Sequence, residues 1–175
     1  GGCDAMVHVI KLDKGKEEKA IESSDPIAAS ATADGDRLYV GSMGSQFLCF
    51  DVKLGNMIWQ YEDRPFNYES SPALTKELVL FGGQDKRLHC LNRKDGAVKW
   101  VFNTNGQVNS SPVVCGNRVL VGSNDGKIYM VSLDKGQKIW EFETGDAVTA
   151  SPAVAGGKVV VGSEDGFVYC LGAKK

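Results

Sequence analysis

Short runs of alternating apolar and polar residues recur along the chain, and each run ends at a turn signal. Residues 137–143 alternate in this way, residues 119–121 and 127–133 are short runs rich in apolar and β-branched residues, and Gly126 lies at the turn between those two runs. A two-residue period is typical of strands, because successive side chains of a strand point to opposite faces. The smaller residues at 147–154 predict a fourth strand, so about 40 residues hold four strands.

A helical interpretation fails along the whole chain. No stretch of twelve residues keeps apolar side chains at the i, i+3, i+4 and i+7 spacing of a helix face. Residues 21–33 come nearest, but Pro26 and several Ser and Thr residues interrupt them. The pattern therefore predicts an all-β protein.

The turn glycines show that this pattern is a repeat. It begins at Gly1, Gly41, Gly82, Gly122 and Gly162, at spacings of 40, 41, 40 and 40 residues. A repeat of this length with four strands per unit is typical of a β-propeller, in which each unit is one blade. We therefore interpret the chain as a single β-propeller segment, 1–175, with repeats at 1–40, 41–81, 82–121 and 122–161 and a partial repeat at 162–175.

Three more features recur at fixed repeat positions: an Asp after the opening glycine in four of the five units, and a Trp in the third predicted strand and a later Ser-Pro pair in three units each. They are Asp4, Asp85, Asp125 and Asp165; Trp59, Trp100 and Trp140; and Ser71-Pro72, Ser111-Pro112 and Ser151-Pro152. Together with the sequence VLVGSNDGKIYMVSLDKGQKIWEFETGDAVTASPAV, they closely resemble the PQQ-type (pyrroloquinoline-quinone-like) propeller repeat. The first unit is atypical, with Lys19 in place of Trp and Ala31 in place of Pro.

The resemblance implies how the blades are arranged. In this family the Ser-Pro strand lies nearest the central axis and the Trp strand lies outermost, so Trp59, Trp100 and Trp140 are expected to dock between neighbouring blades. PQQ-type propellers usually close with eight four-stranded blades, so about four repeats make half of a ring. Three ways of closing the ring stay open: a longer polypeptide supplies the missing blades, two copies pair as a homodimer of half rings, or the chain closes alone.

The composition excludes several classes of protein and agrees with the predicted all-β fold. The chain has 42% hydrophobic and 24% charged residues, which rules out intrinsic disorder. Its 20 Lys and Arg residues are balanced by 22 Asp and Glu residues, so the chain lacks the excess of positive charge that is typical of nucleic-acid-binding proteins. No apolar run approaches the roughly 20 residues of a membrane-spanning helix.

The positions of the five cysteines favour a packing role in the core over disulfide formation or zinc binding. Cys49, Cys90 and Cys170 fall at one repeat position that also accepts Val9 and Met130, so we interpret this position as a buried apolar slot. Equivalent positions in neighbouring blades are expected to lie about 10 Å apart, too far for a disulfide to join them. The odd count and the lack of a CxxC pair argue against a disulfide framework and against zinc.

Histidine and aspartate also occupy repeat positions. His8 and His89 take the place of Leu48, Tyr129 and Tyr169, which favours a packed or edge residue over a catalytic base or a metal ligand. The recurrent Asp residues lie at turns, where we expect their side chains to accept hydrogen bonds from nearby backbone N–H groups.

The repeat places four polar residues near the innermost strand, where they are candidates to contact a small polar ligand in a channel. They are Asn67, Glu69, Asn109 and Thr149. These residues do not make a complete catalytic site, since general acid–base chemistry or metal binding needs several convergent groups. The sequence therefore predicts no catalytic, cofactor-binding or metal-binding residue.

The sequence favours a non-catalytic interaction or assembly scaffold over an enzyme. It resembles the outer-membrane-assembly and sensor propellers of the family, which implies a protein partner and a location in the periplasm or at the cell surface. The alternative is a segment of a PQQ-dependent alcohol or sugar dehydrogenase. Such members are described as holding PQQ with calcium on Glu and Asn, beside a catalytic Asp and often a vicinal Cys-Cys pair, which is absent here.

Overall fold

The computed structural model of the chain describes residues 1–172. These residues form seventeen strands and no helix, and thus no helix that crosses a membrane. The strands are β1 (Met6–Lys11), β2 (Lys16–Glu22), β3 (Thr32–Asp34), β4 (Arg37–Gly41), β5 (Phe47–Asp51), β6 (Asn56–Tyr61), β7 (Ala73–Leu74), β8 (Leu78–Gly83), β9 (Arg87–Asn92), β10 (Val98–Asn103), β11 (Val113–Cys115), β12 (Arg118–Ser123), β13 (Lys127–Ser132), β14 (Lys138–Glu143), β15 (Ala153–Ala155), β16 (Lys158–Gly162) and β17 (Val168–Gly172). They hold 86 of the 172 described residues, so the prediction of an all-β protein is confirmed.

The strands form five separate antiparallel sheets, each paired in chain order. Three are complete four-stranded blades: blade I (β3–β6), blade II (β7–β10) and blade III (β11–β14). The first partial blade contains β1 and β2, which correspond to the third and fourth strands of a blade. The last partial blade contains β15–β17, which correspond to the first three strands. The predicted propeller of four-stranded blades, about four in number, is therefore confirmed.

The hydrophobic core lies between successive blades. Leu80 and Leu88 of blade II, for example, pack against Val119, Val121 and Val131 of blade III in one buried cluster. Neighbouring residues of a strand point to opposite faces, and in a propeller each face meets another sheet. Both faces of the inner strands are therefore apolar.

The segments that join the outer strand of one blade to the inner strand of the next are named connectors here. They span residues 23–31, 62–72, 104–112 and 144–152. Each connector buries an apolar side chain at one shared repeat position, between the two blades that it joins. These residues are Ile27, Tyr68, Val108 and Val148, at 3%, 0%, 1% and 0% exposure.

The fourth strand predicted at residues 147–154 is wrong over most of its length. Only Ala153–Ala155 forms β15, and the preceding residues belong to the last connector. The N–H of Val148 donates to the carbonyl of Ser123 in blade III at 3.0 Å, so it is not available to a strand ladder. Pro152 has no N–H to donate. The alternation of residues 147–150 therefore comes from a buried connector residue and not from a strand.

The opening glycines Gly41, Gly82 and Gly122 allow the connector that follows each of their blades to cross close to the sheet. A Cβ atom added at Gly122 would lie 2.6 Å from the carbonyl oxygen of Val148. Side chains at Gly41 and Gly82 would collide in the same way with the backbone of the connectors that cross them. This close approach explains why the repeat begins with glycine, since any side chain here would displace the connector.

Candidate interaction sites

Two of the three tryptophans bind the next blade along the chain. Trp59 in β6 donates its indole N–H to the carbonyl of Arg93 at 3.1 Å, and Trp100 in β10 donates to the carbonyl of Leu133 at 2.8 Å. The Trp59 ring lies over Gly96, whose φ is +73° and where an added Cβ would come within 2.8 Å of the ring. Each indole therefore covers a turn of the neighbouring blade.

Lys19 reproduces these contacts in the first repeat. Its alkyl stem lies over Gly55, and its ammonium group donates to the carbonyl of Lys53. A lysine can replace the indole because its stem is apolar and its end is a hydrogen-bond donor. Trp140 is 37% exposed, and Ala173, which would correspond to Leu133, lies outside the described residues.

The serine of each Ser-Pro pair links neighbouring blades beside the inner strands. The backbone N–H of Ser71 donates to the hydroxyl of Ser111 at 2.9 Å, and the N–H of Ser111 donates to the hydroxyl of Ser151 at 3.0 Å. The hydroxyl of Thr32 adds a bond to the carbonyl of Pro72 at 2.7 Å. The serines of the Ser-Pro pairs thus form a row of hydrogen bonds that joins neighbouring blades. The motif alone does not predict this role.

Two of the recurrent aspartates, Asp125 and Asp165, join three parts of the molecule. Asp125 accepts the backbone N–H of Lys127 at 3.1 Å, as its turn position predicts. It also accepts the hydroxyl of Tyr129 at 2.8 Å and the N–H of Asn105, in the preceding connector, at 2.9 Å. Asp165 repeats all three contacts in the last partial blade. Asp125 and Asp165 therefore tie their own turn and strand to the preceding connector. Asp85 instead bonds the side chains of Arg87 and His89, so the backbone contact predicted for its turn position is not formed among the described residues.

Blade II places histidine where the later blades have tyrosine, and it buries the whole group. His89 is fully buried, with Nε2 3.1 Å from a carboxylate oxygen of Asp85 and Nδ1 3.2 Å from the hydroxyl of Tyr61. Its ring stacks on Phe81 with centroids 5.0 Å apart. The predicted packed role of His89 agrees with this burial, and the Asp–His–Tyr chain crosses from blade II to blade I.

Arg87 extends this cluster to the connector that follows β6. Its Nε donates to Asp85 at 2.6 Å, and Nη2 lies 2.6 Å from a carboxylate oxygen of Asp63. Burial by itself raises the pKa of the Asp85 carboxyl, but hydrogen bonding by His89 and the positive charges beside it outweigh burial and hold that pKa below its usual range. Burial raises the pKa of Tyr61 to about 12. We name Tyr61, Asp63, Asp85, Arg87 and His89 the Asp85 cluster.

The four channel candidates lie in the connectors. Glu69, Asn109 and Thr149 share one repeat position, one residue past the buried apolar side chain. The amide of Asn67 donates to Glu69 at 3.3 Å, and the hydroxyl of Thr149 bonds Glu164 at 3.1 Å. Among residues 1–172, Oδ1 of Asn109 is buried without a partner. The structure brings Asn67 and Glu69 together, and a role of all four in ligand binding stays a prediction.

A calcium–quinone site does not fit these residues. Calcium takes six to eight oxygen ligands, several of them carboxylates. Glu69 is the one carboxylate among the channel candidates, and it accepts from Asn67. Within the described part of the chain, no group of three His, Cys, Asp or Glu side chains is placed to hold a metal ion.

All five cysteines are free thiols. Cys49 and Cys90 are fully buried, and burial raises their pKa values to about 11 and about 12. Thiols with such pKa values are protonated at neutral pH and are therefore poor nucleophiles. Cys115 is exposed. Cys170 is exposed as well, so the buried slot predicted for it is wrong, because no further sheet among the described residues covers the last partial blade.

A large cleft lies between blades I and II, at the end of the sheets opposite the connectors. Its volume is about 830 Å³. It is lined by Asp34, Asp36, Arg37, Tyr39 and Asp51 of blade I and by Lys76, Glu77, Asn92, Arg93, Lys94 and Lys99 of blade II. We name it the interblade cleft. Sequence reasoning missed it, although departures from the repeat, such as Arg93 in the place of Leu133, were a visible signal.

Comparison with known sequences points to one family. A family model described as outer membrane protein assembly factor BamB matches residues 68–175. A curated protein of the same name from Moranella endobia is 27% identical over 114 residues, which cover 59% of this chain and 29% of that protein.

Solved structures share the fold. BamB from Moraxella catarrhalis matches with a TM-score of 0.86 at 16% identity, over 97% of this chain and 56% of that chain. The computationally designed Ika8 protein matches with a TM-score of 0.88 at 18% identity, over 99% and 54%. The designed Ika4 protein matches with 0.76 at 17% identity, over 86% and 92%. The chain thus spans about half of the Moraxella and Ika8 chains and less than a third of the Moranella protein.

The tryptophan contacts predict a large stability effect at one position and a small one at another. Trp100 is 9% exposed, so Trp100→Ala is expected to lower the free energy of unfolding by about 3–5 kcal/mol. Lys19→Trp is expected to be neutral or stabilising, because a tryptophan at this position can lie over Gly55 as Trp59 lies over Gly96. Urea unfolding measures both changes. An unchanged midpoint for Trp100→Ala would refute the docking role.

The Asp85 cluster predicts a defined pH dependence. The pKa of Asp85 is lower in the folded protein, so its contribution is complete above its ordinary value of 3.8 and disappears as the pH falls through the folded value. Asp85→Asn is expected to lower the free energy of unfolding at pH 7 by about 3 kcal/mol, because it leaves Arg87 and His89 without the buried charge. It is also expected to lose less stability than the wild type on acidification.

The matched control is Asp125→Asn, which alters the equivalent but half-buried carboxylate of blade III. It is expected to cost about 1 kcal/mol or less. Chemical denaturation between pH 7 and pH 3 gives both quantities. Equal losses for the two variants, or an acid profile for Asp85→Asn that matches the wild type, would contradict the assigned role of the cluster.

Proposed function

Since the chain belongs to the family described as outer membrane protein assembly factor BamB, we propose that it is a non-catalytic propeller scaffold for outer-membrane protein assembly. The family match over residues 68–175 carries this proposal. It also confirms the resemblance to the PQQ-type repeat that the sequence predicted.

The use of the repeated polar residues supports a scaffold. Trp100 and Ser111 each donate a hydrogen bond to a neighbouring blade or connector, and Asp125 accepts one from the connector before it. What varies between repeats is the set of exposed side chains on turns and connectors. Exposed side chains that differ between repeats, on a fold that stays the same, are better suited to binding protein partners than to catalysing one reaction.

We propose that the chain acts in the periplasm or at the cell surface and binds another protein there. The names of the Moranella and Moraxella relatives support this location, since both are BamB proteins and the family description refers to outer-membrane assembly. The dehydrogenase alternative gains no support from Asn67, Glu69, Asn109 and Thr149.

A further blade of the same kind is proposed to cover the last partial blade. Val160 and Val168 are 39% and 74% exposed, whereas the equivalent Leu120 and Ile128 of blade III are 2% and 0% exposed because the next sheet covers them. The chain also covers only 56% of the Moraxella chain. A longer polypeptide is the favoured source of this blade, and a second copy that completes a homodimer of half rings is the alternative.

Light scattering on the purified 175-residue chain tests how the exposed faces are covered. If two copies pair, the mass is expected to be twice 18.8 kDa. If the other blades belong to a longer polypeptide, the isolated chain is expected to associate without a fixed stoichiometry, because large apolar faces stay uncovered. A stable, non-aggregating monomer of 18.8 kDa would contradict both proposals and favour self-closure.

The proposed function predicts an outer-membrane defect without a redox defect. A strain that lacks the protein is expected to contain less of its β-barrel outer-membrane proteins, and the full-length gene is expected to restore them. As a control, the purified chain loaded with PQQ and calcium is expected not to reduce a dye with alcohols or aldoses. Unchanged outer-membrane protein levels would refute the scaffold proposal, and calcium-dependent dye reduction would favour the dehydrogenase.

A further inference from the structure

The interblade cleft carries positive charges that the repeat does not require. Blades II and III adopt the same four-stranded structure, so residues that differ between them are not dictated by the fold. On the blade II side, four positions that line the cleft carry cations where blade III does not. Lys76, Arg93, Lys94 and Lys99 correspond to Gly116, Leu133, Asp134 and Ile139.

Arg93 is held in place and keeps donors to spare. It donates to the carbonyl of Thr75 at 2.6 Å, to Asp34 at 2.6 Å and to the hydroxyl of Tyr39 at 3.2 Å. Its guanidinium lies 5.3 Å from the centroid of the Tyr39 ring. A guanidinium has five N–H donors, so two remain for a ligand. A cation that is already fixed loses little conformational entropy when it binds.

Arg37 lies in the same cleft, and among residues 1–172 it forms no ion pair, although Asp34 and Asp51 lie opposite it on the neighbouring strands. Its Nη1 donates to the carbonyl oxygens of Arg93 at 2.9 Å and Lys94 at 3.5 Å, which are neutral acceptors. The side chains of Lys94 and Lys99 are exposed and form no ion pair with any residue that the structure describes. Arg37, Lys94 and Lys99 are therefore available to an anionic group.

The acidic residues of the cleft decide which kind of anion fits. Asp36, Asp51 and Glu77 line it together with the cations. A compact polyanion such as a phosphate cluster would meet these carboxylates as well as the cations, and like charges repel. A peptide can place its carboxylates beside the cations and leave neutral residues beside the acids. Guanidinium groups bind such carboxylates through paired hydrogen bonds.

We propose that the interblade cleft binds an extended acidic peptide segment of a partner protein, with its carboxylates against Arg37 and Lys99. The volume of about 830 Å³ is sufficient for several residues of such a segment. This inference rests on the proposed scaffold function, because it presumes a protein partner. It assigns that partner to the end of the propeller opposite the connectors.

The test uses variants whose new residues the fold already accepts at equivalent positions. Arg37→Leu introduces the residue that blade II has as Leu78, and Lys99→Ile introduces the residue that blade III has as Ile139. The matched control combines Arg118→Leu with Lys138→Ile. It makes the same changes in side chain and net charge in blade III, outside the cleft. Urea midpoints of both double variants check that the fold is intact.

Fluorescence anisotropy measures binding of a short rhodamine-labelled peptide in which Glu alternates with Gly and Ser. The Glu peptide is expected to bind, and the same peptide with Gln for Glu is expected not to bind. The Arg37→Leu/Lys99→Ile variant is expected to bind the Glu peptide about tenfold more weakly, while the control variant stays within about twofold of the wild type.

Four results would overturn the proposal. They are no binding of the Glu peptide, equal binding of the Gln peptide, an equal loss in the control variant, and displacement of the peptide by tripolyphosphate at a lower concentration than by unlabelled peptide. The last result would assign the cleft to compact phosphate anions. None of these results depends on the outer-membrane phenotype of the deletion strain, so failure of the cleft proposal and failure of the scaffold proposal are distinguishable.

Discussion

The crossing of each connector over a glycine is the constraint on which the rest of the propeller depends. Glycine at the second strand lets the connector backbone approach the sheet more closely than any side chain would permit. The connector residue then donates its N–H to that blade: Val108 to Gly83 at 3.0 Å and Val148 to Ser123 at 3.0 Å. Its side chain fills the space before the next sheet. The connector thus fixes where the next blade begins.

The connector sets the position of each blade relative to the next, and the other repeated contacts between blades stabilise that position. The Asp carboxylates hold the connector end, the Ser-Pro serines hold the inner strands, and Trp59 and Trp100 hold the turns at the far end. Because all these residues bond across blades, the repeated positions are structural. Specific function is left to positions that break the repeat. Arg93, Lys94 and His89 are such positions, and two of them line the interblade cleft.

The sequence predicts the blades, which repeat, but not the side-chain contacts that join one repeat to a different one. The glycine spacing and the Trp and Ser-Pro positions were enough to predict the blades, because one unit fixes the structure of all. Residues 147–154 were misassigned because a connector with one buried residue alternates like a strand, and only the bond from Val148 to Ser123 distinguishes them. His89 was correctly predicted to be packed. Its link through Asp85 and Arg87 to Asp63 reaches from blade II to the connector after blade I and has no sequence motif.

Alanine substitution at equivalent glycines tests the central claim most directly. In Gly122→Ala the new methyl group meets the side chain and carbonyl of Val148, and overpacking of this kind costs about 1–3 kcal/mol. In Gly162→Ala, at the same repeat position, the nearest atom is Cβ of Ala150 at an ordinary 3.7 Å. Urea unfolding of both variants is expected to show a loss of stability for Gly122→Ala and little change for Gly162→Ala. Equal stabilities would contradict the account, because the connector would then not depend on the glycine beneath it.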